Sequence, residues 1–542
     1  CARETARVPA SLPQLPLTAL GCTEEDFEMK KLLWNLVLST TTTPDGVAAL
    51  ISASFVRVLL MYLDPGAERG TLLQWTLHQH RELQVLATSL LFHLAAEVPA
   101  EFAAGNGPSL VIDAFVQHLD EPPPAALRSG LSKLVLNTAA LFATQYGELG
   151  LVAVLLSILK DATLEVKLRR DAALTLSVLT AENAANQAEF LLEGGIDAVI
   201  ALLNFDMSDP EREPTIVLAA IDCIWSAVVG IIESETQFLR ADGVFALLDL
   251  LDTPKLPAEI TNHGLGVILD LLDHPYTVAY VRRWRSGRDA ERSVAHLLLE
   301  AWETSQAELG VALDRHGVIG NVDTPLAPVA VSDDDEGEGG APAFAAVAQY
   351  GRTAAFVLEL EAAAAAEADG DGGDGDEVSP AIADVRANMR AKVFALFCKL
   401  GFQGHTGLSC RHKTALRLIL EYFKYKVGEV WTEIDAELEA EEVRPISPDL
   451  TRLGTMHEYI QQSAVNLQTE QRAVVAREQE RELKAEADMY HMIMEKCRLM
   501  REAAAADAAA ASDSTTAHDP VHPAHVAGPG ATLSPRHAMR PR

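Results

Sequence analysis

Four side chains able to bind metal fall within fifteen residues: Cys398, His405, Cys410 and His412. Four nitrogen and sulfur donors are the inventory of a structural zinc site. Their spacing is not of the paired Cys-x-x-Cys or His-x-x-x-His kind. Cys398 also lies between Phe397 and Leu400 on an apolar face, where a free thiol behaves as a small hydrophobe. A core cysteine is the simpler reading, zinc the alternative, and no cofactor is predicted. A calcium loop beginning at Asp369 fails on register. Position 6, which must be Gly, is Asp374, and position 12, which must be Glu, is Pro380.

Two further groups suit partner binding. The run Arg282, Arg283, Trp284, Arg285, Ser286, Gly287, Arg288 is a basic island in an acidic chain. Arginines pair with carboxylates and Trp adds contact area, so the run suits an acidic partner such as a tubulin tail. The competing reading is an inter-helix loop whose Trp284 packs on the body of the protein. Asn183 and Asn186 resemble the asparagines that clamp an extended peptide, but without a regular Trp/Asn ladder helix-end capping competes. Gly-rich phosphate loops, dinucleotide fingerprints and Gly-x-Ser-x-Gly elbows are absent, and no enzyme is predicted.

The elements that carry these residues follow from composition and spacing. The chain has 542 residues, 49% of them hydrophobic, which is material for several domains' worth of core. A net charge of −33 argues against tracking phosphates over most of the surface. Six cysteines, irregularly placed, do not make a disulfide framework and point to a reducing compartment. The longest apolar run, Ile216 to Ile232, holds Asp222 and is shorter than the ~20 residues a membrane span needs. It reads as a buried helix beginning at Pro214. The opening Cys1, in place of Met, suggests that an upstream part is missing.

A stripe of apolar residues at i, i+3, i+4, i+7 recurs along the chain. It runs Ile112, Phe115, Val116, Leu119; then Leu151, Val154, Leu155, Ile158; then Ile196, Val199, Ile200, Leu203; then Val244, Leu247, Leu248, Leu251. The last three copies each follow a glycine, and the successive spacings are 39, 45 and 48 residues. Helical units of this period, each unable to cover its own apolar face, predict an all-α armadillo or HEAT-like solenoid. The stretch DAALTLSVLTAENAANQAEFLLEGGIDAVIALL, ending at Leu203, resembles an armadillo repeat in particular.

The predicted organisation is a solenoid over 1–320, an acidic low-complexity linker over 321–380 and a helical block over 381–445. A long polar helix over 446–510 and a disordered tail over 511–542 complete it. From Val331 to Val378 there are 13 acidic residues and one basic, Arg352, a composition that cannot build a core. The helix from Met456 onward is too polar to form a core of its own, so it spans solvent or lies against a partner.

Three segments carry a more specific likeness: RRWRSGRDAERSVAHLLLEAWE (Arg282 to Glu303), AKVFALFCKLGF (Ala391 to Phe402) and LRLILEYFKYKVGEVWTEIDAELEAEEVRPIS (Leu416 to Ser447). With the repeats they resemble the cilia- and flagella-associated protein 69 family over roughly residues 30–320 and 380–500. The resemblance implies a non-enzymatic scaffold of the motile-cilium axoneme, in the C1b projection of the central-pair C1 microtubule. It implies contact with other projection proteins, mostly indirect attachment to the microtubule, and no nucleic acid, membrane or small-molecule substrate. A cytosolic adaptor that captures linear peptides in a solenoid groove is the rival reading.

Overall fold

The computed structural model describes residues 23–41, 43–64, 75–120, 125–204, 214–326 and 380–513. The acidic stretch 331–378 and the tail beyond Asp513 lie outside the described residues. Those residues form helices and two isolated β-bridges, Arg285–Ser293 and Leu313–Ile319, and include no strand. Among the described residues no single helix is long and apolar enough to cross a membrane. The longest apolar run is a core helix that starts at Pro214, with Ile216 through Ile221 buried.

Helices α1 (Glu24–Thr40), α2 (Pro44–Ser52), α3 (Phe55–Leu60) and α4 (Leu77–Leu94) open the stack. Three-helix units follow. The first is α5 (Pro99–Ala104), α6 (Gly107–Asp120) and the body of α7 (Ala125–Glu148). Helix α7 breaks at Phe142 (φ −123°, ψ 23°). Its last turn opens the second unit, continued by α8 (Leu151–Lys160) and α9 (Val166–Thr180). The third is α10 (Ala184–Leu192), α11 (Gly195–Leu202) and α12 (Pro214–Ala227), and the fourth α13 (Ile232–Arg240), α14 (Gly243–Leu251) and α15 (Ala258–Leu271).

One local device repeats through these units. An aromatic residue closes the first short helix, a residue with positive φ reverses the chain four positions on, and the next helix starts one position later. The aromatics are Phe102, Tyr146, Phe190 and Phe238, all fully buried. The reversing residues are Asn106, Gly150, Gly194 and Asp242, with φ between 55° and 78°. At Gly195 and Gly243 the aromatic ring lies flat on the helix start. A Cβ there would stand 2.5 Å from Phe190 and 2.3 Å from Phe238. Glycine is needed at these two positions for close approach, the turn itself being made one residue earlier at Gly194 and Asp242.

The device corrects the register read from apolar stripes. The aromatics are 44, 44 and 48 residues apart. In that register Val111, Ile112 and Phe115 correspond to Val199, Ile200 and Leu203, whereas Val116 is 36% exposed. The stripe at Ile112 is therefore displaced by one helical turn, which leaves it on the same face. Apolar periodicity alone does not detect such a slip.

The fifth unit extends the pattern in an unexpected way. Helix α16 (Pro275–Arg283) ends on buried Trp284, 46 residues after Phe238, and α17 (Val294–Glu308) is its second helix. The third helix is α18 (Pro380–Leu400), on the far side of the acidic stretch. It packs on α15 and α17, and so extends the row of long helices α4, α7, α9, α12, α15. The segment separated from the solenoid by composition thus completes its last repeat. Helix α19 (Cys410–Ala440) packs on α17 and α18.

The last helix, α20 (Ser447–Asp513), belongs to two compact units that divide after Gln471. Its first part buries Leu453, Ile460, Ala464 and Leu467, with Ile460 seated over Gly428 of α19. Gln471 is fully buried. Its side chain accepts from the Ile319 amide at 3.0 Å and donates to the Thr414 carbonyl at 3.0 Å. The second unit, from Arg472, is helical through Asp513.

Candidate docking surfaces

The solenoid absorbs much of the polar chemistry seen in the sequence. Asn183 caps α10, its side chain accepting from the Asn186 amide at 3.2 Å. Asn186 is 2% exposed and donates to two carbonyls, Leu179 at 2.7 Å and Ala143 at 3.0 Å. It thus ties the third unit to the ends of α9 and α7. Gly147 leaves the space it needs, since a Cβ there would meet the Asn186 carbonyl oxygen at 1.8 Å.

The basic run wraps the end of α14. Trp284 is 1% exposed and donates its indole N–H to Asp249 at 2.9 Å. Arg288 donates to the Asp252 carbonyl at 2.7 Å, and Ser286 to the Asp252 carboxylate at 2.5 Å. Arg292 bonds the same carboxylate at 2.6 Å and grips Glu300, holding that carboxyl below its usual range. Arg282 donates to the Leu400 carbonyl at 3.1 Å, which caps the end of α18. Arg285 donates to the carbonyls of Arg282 and Trp284, at 3.0 and 2.6 Å. Arg282 and Arg285 meet across an open cleft of about 630 Å³, lined also by Ser293 and the turn from Gln403 to Gly407. Arg283 is exposed and has no hydrogen-bond partner among the described residues.

Among the described residues, no group of three or more His, Cys, Asp or Glu is placed to hold a metal ion. Cys398 is exposed, and desolvation pushes its thiol up. His405 turns to the Gly401 carbonyl at 2.8 Å, and His412 meets the His296 ring edge-on at 5.7 Å.

A polar cluster on the long helices goes beyond the sequence reading. Trp225 of α12 donates to Asp270 of α15 at 3.0 Å, and Lys392 of α18 stands 6.0 Å from the same indole ring. Lys392 also donates to the Asn262 carbonyl at 2.9 Å, and burial pushes its amine down to about 8. Trp225 and Asp270 lie 45 residues apart, one repeat, which is the signal the sequence offers.

Among the described residues, apolar side chains are exposed in rows on two helices. Helix α1 exposes Met29, Leu32, Leu33 and Leu36 at i, i+3, i+4 and i+7. The second unit exposes Met489, Tyr490, Met492, Ile493, Met494, Leu499 and Met500, each 50% or more.

The sequence matches the armadillo-repeat model of cilia- and flagella-associated protein 69 over residues 10–113, 149–347 and 372–434. The chain belongs to the cilia- and flagella-associated protein 69 family. The last two matched ranges cover both α17 and α18 and leave 348–371, within the acidic stretch, unmatched. Members of cilia- and flagella-associated protein 69 from Mus musculus and Homo sapiens are each 26% identical to it, covering 80% and 82% of the chain. The chain spans about half their length, 45% and 47% respectively. Among solved structures, the designed armadillo repeat protein YIII(Dq)4CqI is 19% identical, covering 46% of this chain and 96% of its own at a TM-score of 0.37. A structure described under a phosphorylation switch between cadherin and β-catenin is 14% identical, covering 80% of this chain and 73% of its own at a TM-score of 0.43. The protein is accordingly an armadillo-repeat α-solenoid of a family associated with cilia and flagella.

Proposed function

We propose that the protein is a non-enzymatic scaffold of the motile-cilium axoneme, in the C1b projection of the central-pair C1 microtubule. It holds neighbouring projection proteins at fixed spacing and so supports beating. The observation that carries this reading is where the polar side chains go. Asn183, Asn186, Arg282, Arg288 and Arg292 tie one helix or turn to another, and the row of long helices from α4 to α18 forms one continuous core. In a body of this kind each unit is braced by the units before and after it, and its uncovered faces are left for neighbours. Of the basic run, Arg283 is the side chain left over for an acidic partner. With a net charge of −33, attachment runs mainly through other projection proteins, since acidic tubulin surfaces repel the chain at long range.

The test is extraction. In detergent-stripped axonemes a tagged chain is expected to stay in the pellet at a constant ratio to tubulin through a salt wash. Release into the soluble fraction would instead favour the adaptor that captures linear peptides.

A further inference from the structure

The apolar surface of the second unit has a shape that limits what can cover it. Successive residues of an α-helix are about 100° apart around its axis. Laid out this way, Leu499, Met492, Met489, Met500, Ile493, Cys497, Tyr490 and Met494 occupy a continuous arc of about 220°. Lys496, and Arg501 just past Met500, are the charged residues inside that arc between Met489 and Arg501, and such long side chains can lie along apolar surface with their charged ends in water. The remaining arc, about 80° wide, is a stripe of Asp488, His491, Glu495, Arg498 and Glu502. Arg498 there pairs with Glu495 at 2.6 Å and Glu502 at 2.8 Å, so the stripe satisfies its own charges facing water.

This is the inverse of a helix made to pair with one other. A two-stranded seam uses a narrow stripe at a and d positions, and an ordinary core-facing helix uses little more than 100°. An arc twice that wide needs apolar neighbours on three sides. Seven of its eight side chains are large and half or more exposed, and four are Met, which adapts its shape to an irregular groove. The local charge also permits close approach. From Arg472 to Asp513 there are seven basic and nine acidic residues, so nearly all of the chain's −33 lies elsewhere.

We infer that the segment Met489–Met500 is a plug, seated lengthwise in an apolar groove between at least two helices of a neighbouring protein, with the Asp488–Glu502 stripe facing out. This rests on the scaffold reading and names how one of its contacts is made. A second copy of this chain offers one like helix per molecule, and in a two-stranded pair would leave half of the arc wet.

Cys497 is a built-in probe, exposed and inside the apolar arc. A cysteine at Glu495 (E495C) reports the opposite face. The full-length chain is labelled with maleimide in solution and in detergent-extracted axonemes, and modification at each site is read by mass spectrometry. The expected result is that Cys497 labels at least ten-fold more slowly in axonemes than in the purified chain, while E495C labels equally in both. Equal labelling of Cys497 in the two states overturns the plug, and slowing at both sites overturns the outward-facing stripe. Slowing of Cys497 in the purified chain that rises with concentration assigns the face to self-association instead. Loss of the chain from the axoneme pellet counts against the scaffold reading itself. An Ile493→Asp variant, at an exposed position that folding does not use, is expected to restore fast Cys497 labelling in whatever fraction stays bound.

Discussion

Lys392 shows what a single residue carries in this stack. Its amine lies half-buried among Trp225, Asp270 and the Asn262 carbonyl, and burial pushes it down to about 8 although the Asp270 charge pulls the other way. An ordinary lysine titrates near 10.4. Between about pH 8 and 10.4 the unfolded chain therefore binds a proton that the folded chain does not, and stability contributed here rises with pH. Below pH 8 both states are charged and the burial cost is fully present. Cys223 and Tyr146, both pushed up by burial, act in the opposite sense above their unfolded values, so the effect is read as a difference. Urea unfolding of the wild type and Lys392→Met should show wild-type stability gaining on the variant by on the order of 2 kcal/mol from pH 7.5 to 10, less than the full shift because the amine keeps some solvent. A gap that does not change with pH would place Lys392 in water.

The fifth repeat sets the lesson at the level of elements. Helix α16, which ends where the basic run begins, is not read from the sequence, whereas α17 is legible within Arg282 to Glu303 and α18 from the face Val393, Phe394, Phe397 and Leu400. Their membership in one repeat is not, because apolar periodicity is a local signal and 53 residues separate Leu326 from Pro380. The aromatic that closes each first helix is equally hidden, since Phe102, Tyr146 and Trp284 differ in type and only their spacing agrees. For the Arg282–Arg288 run the sequence leaves open a basic island for an acidic partner and a loop whose Trp284 packs on the body. Trp284 is buried against Asp249, and Ser286 and Arg288 bond Asp252, as in the loop reading. The stretch between α17 and α18 is thus a long connection inside a repeat. Arg390 of α18 donates to the Leu326 carbonyl at 2.9 Å, which places Leu326 about 15 Å along the helix from its Pro380 start, within reach of a short connection. Replacing residues 331–376 by about ten Gly and Ser should leave the solenoid folded and more stable by about 1 kcal/mol, because closing a shorter loop costs less entropy. Chemical denaturation checks this. A large loss of stability would mean that the acidic stretch itself supports the stack.

At the scale of the whole molecule, charge dominates. Seventy-seven acidic against 44 basic residues leave the chain pushing on itself. A long solenoid spreads that charge, but the units still repel across neighbouring turns. Screening shortens the range of repulsion from about 30 Å at 0.01 M salt to about 8 Å at 0.15 M. Exposed ion pairs such as Arg498 with Glu495 lose little over the same change, since they contribute little to begin with. The melting temperature is therefore expected to rise between 0.01 and 0.15 M NaCl, as followed by circular dichroism at 222 nm. A fall would show that attractive surface pairs outweigh the repulsion. The same acidity disfavours polyanions, while the apolar side chains exposed on α1 and along Met489–Met500 carry no charge of their own.

Because α18 packs along both α15 and α17, continuity of the polypeptide between Leu326 and Pro380 is not what keeps it there. A protease that cuts once in that interval divides the chain but not the molecule. The piece that starts near Pro380 stays clasped by Arg282 at its Leu400 end and by Leu326 through Arg390. Such a chain can be nicked, or supplied as two polypeptides, and still be recovered as one particle.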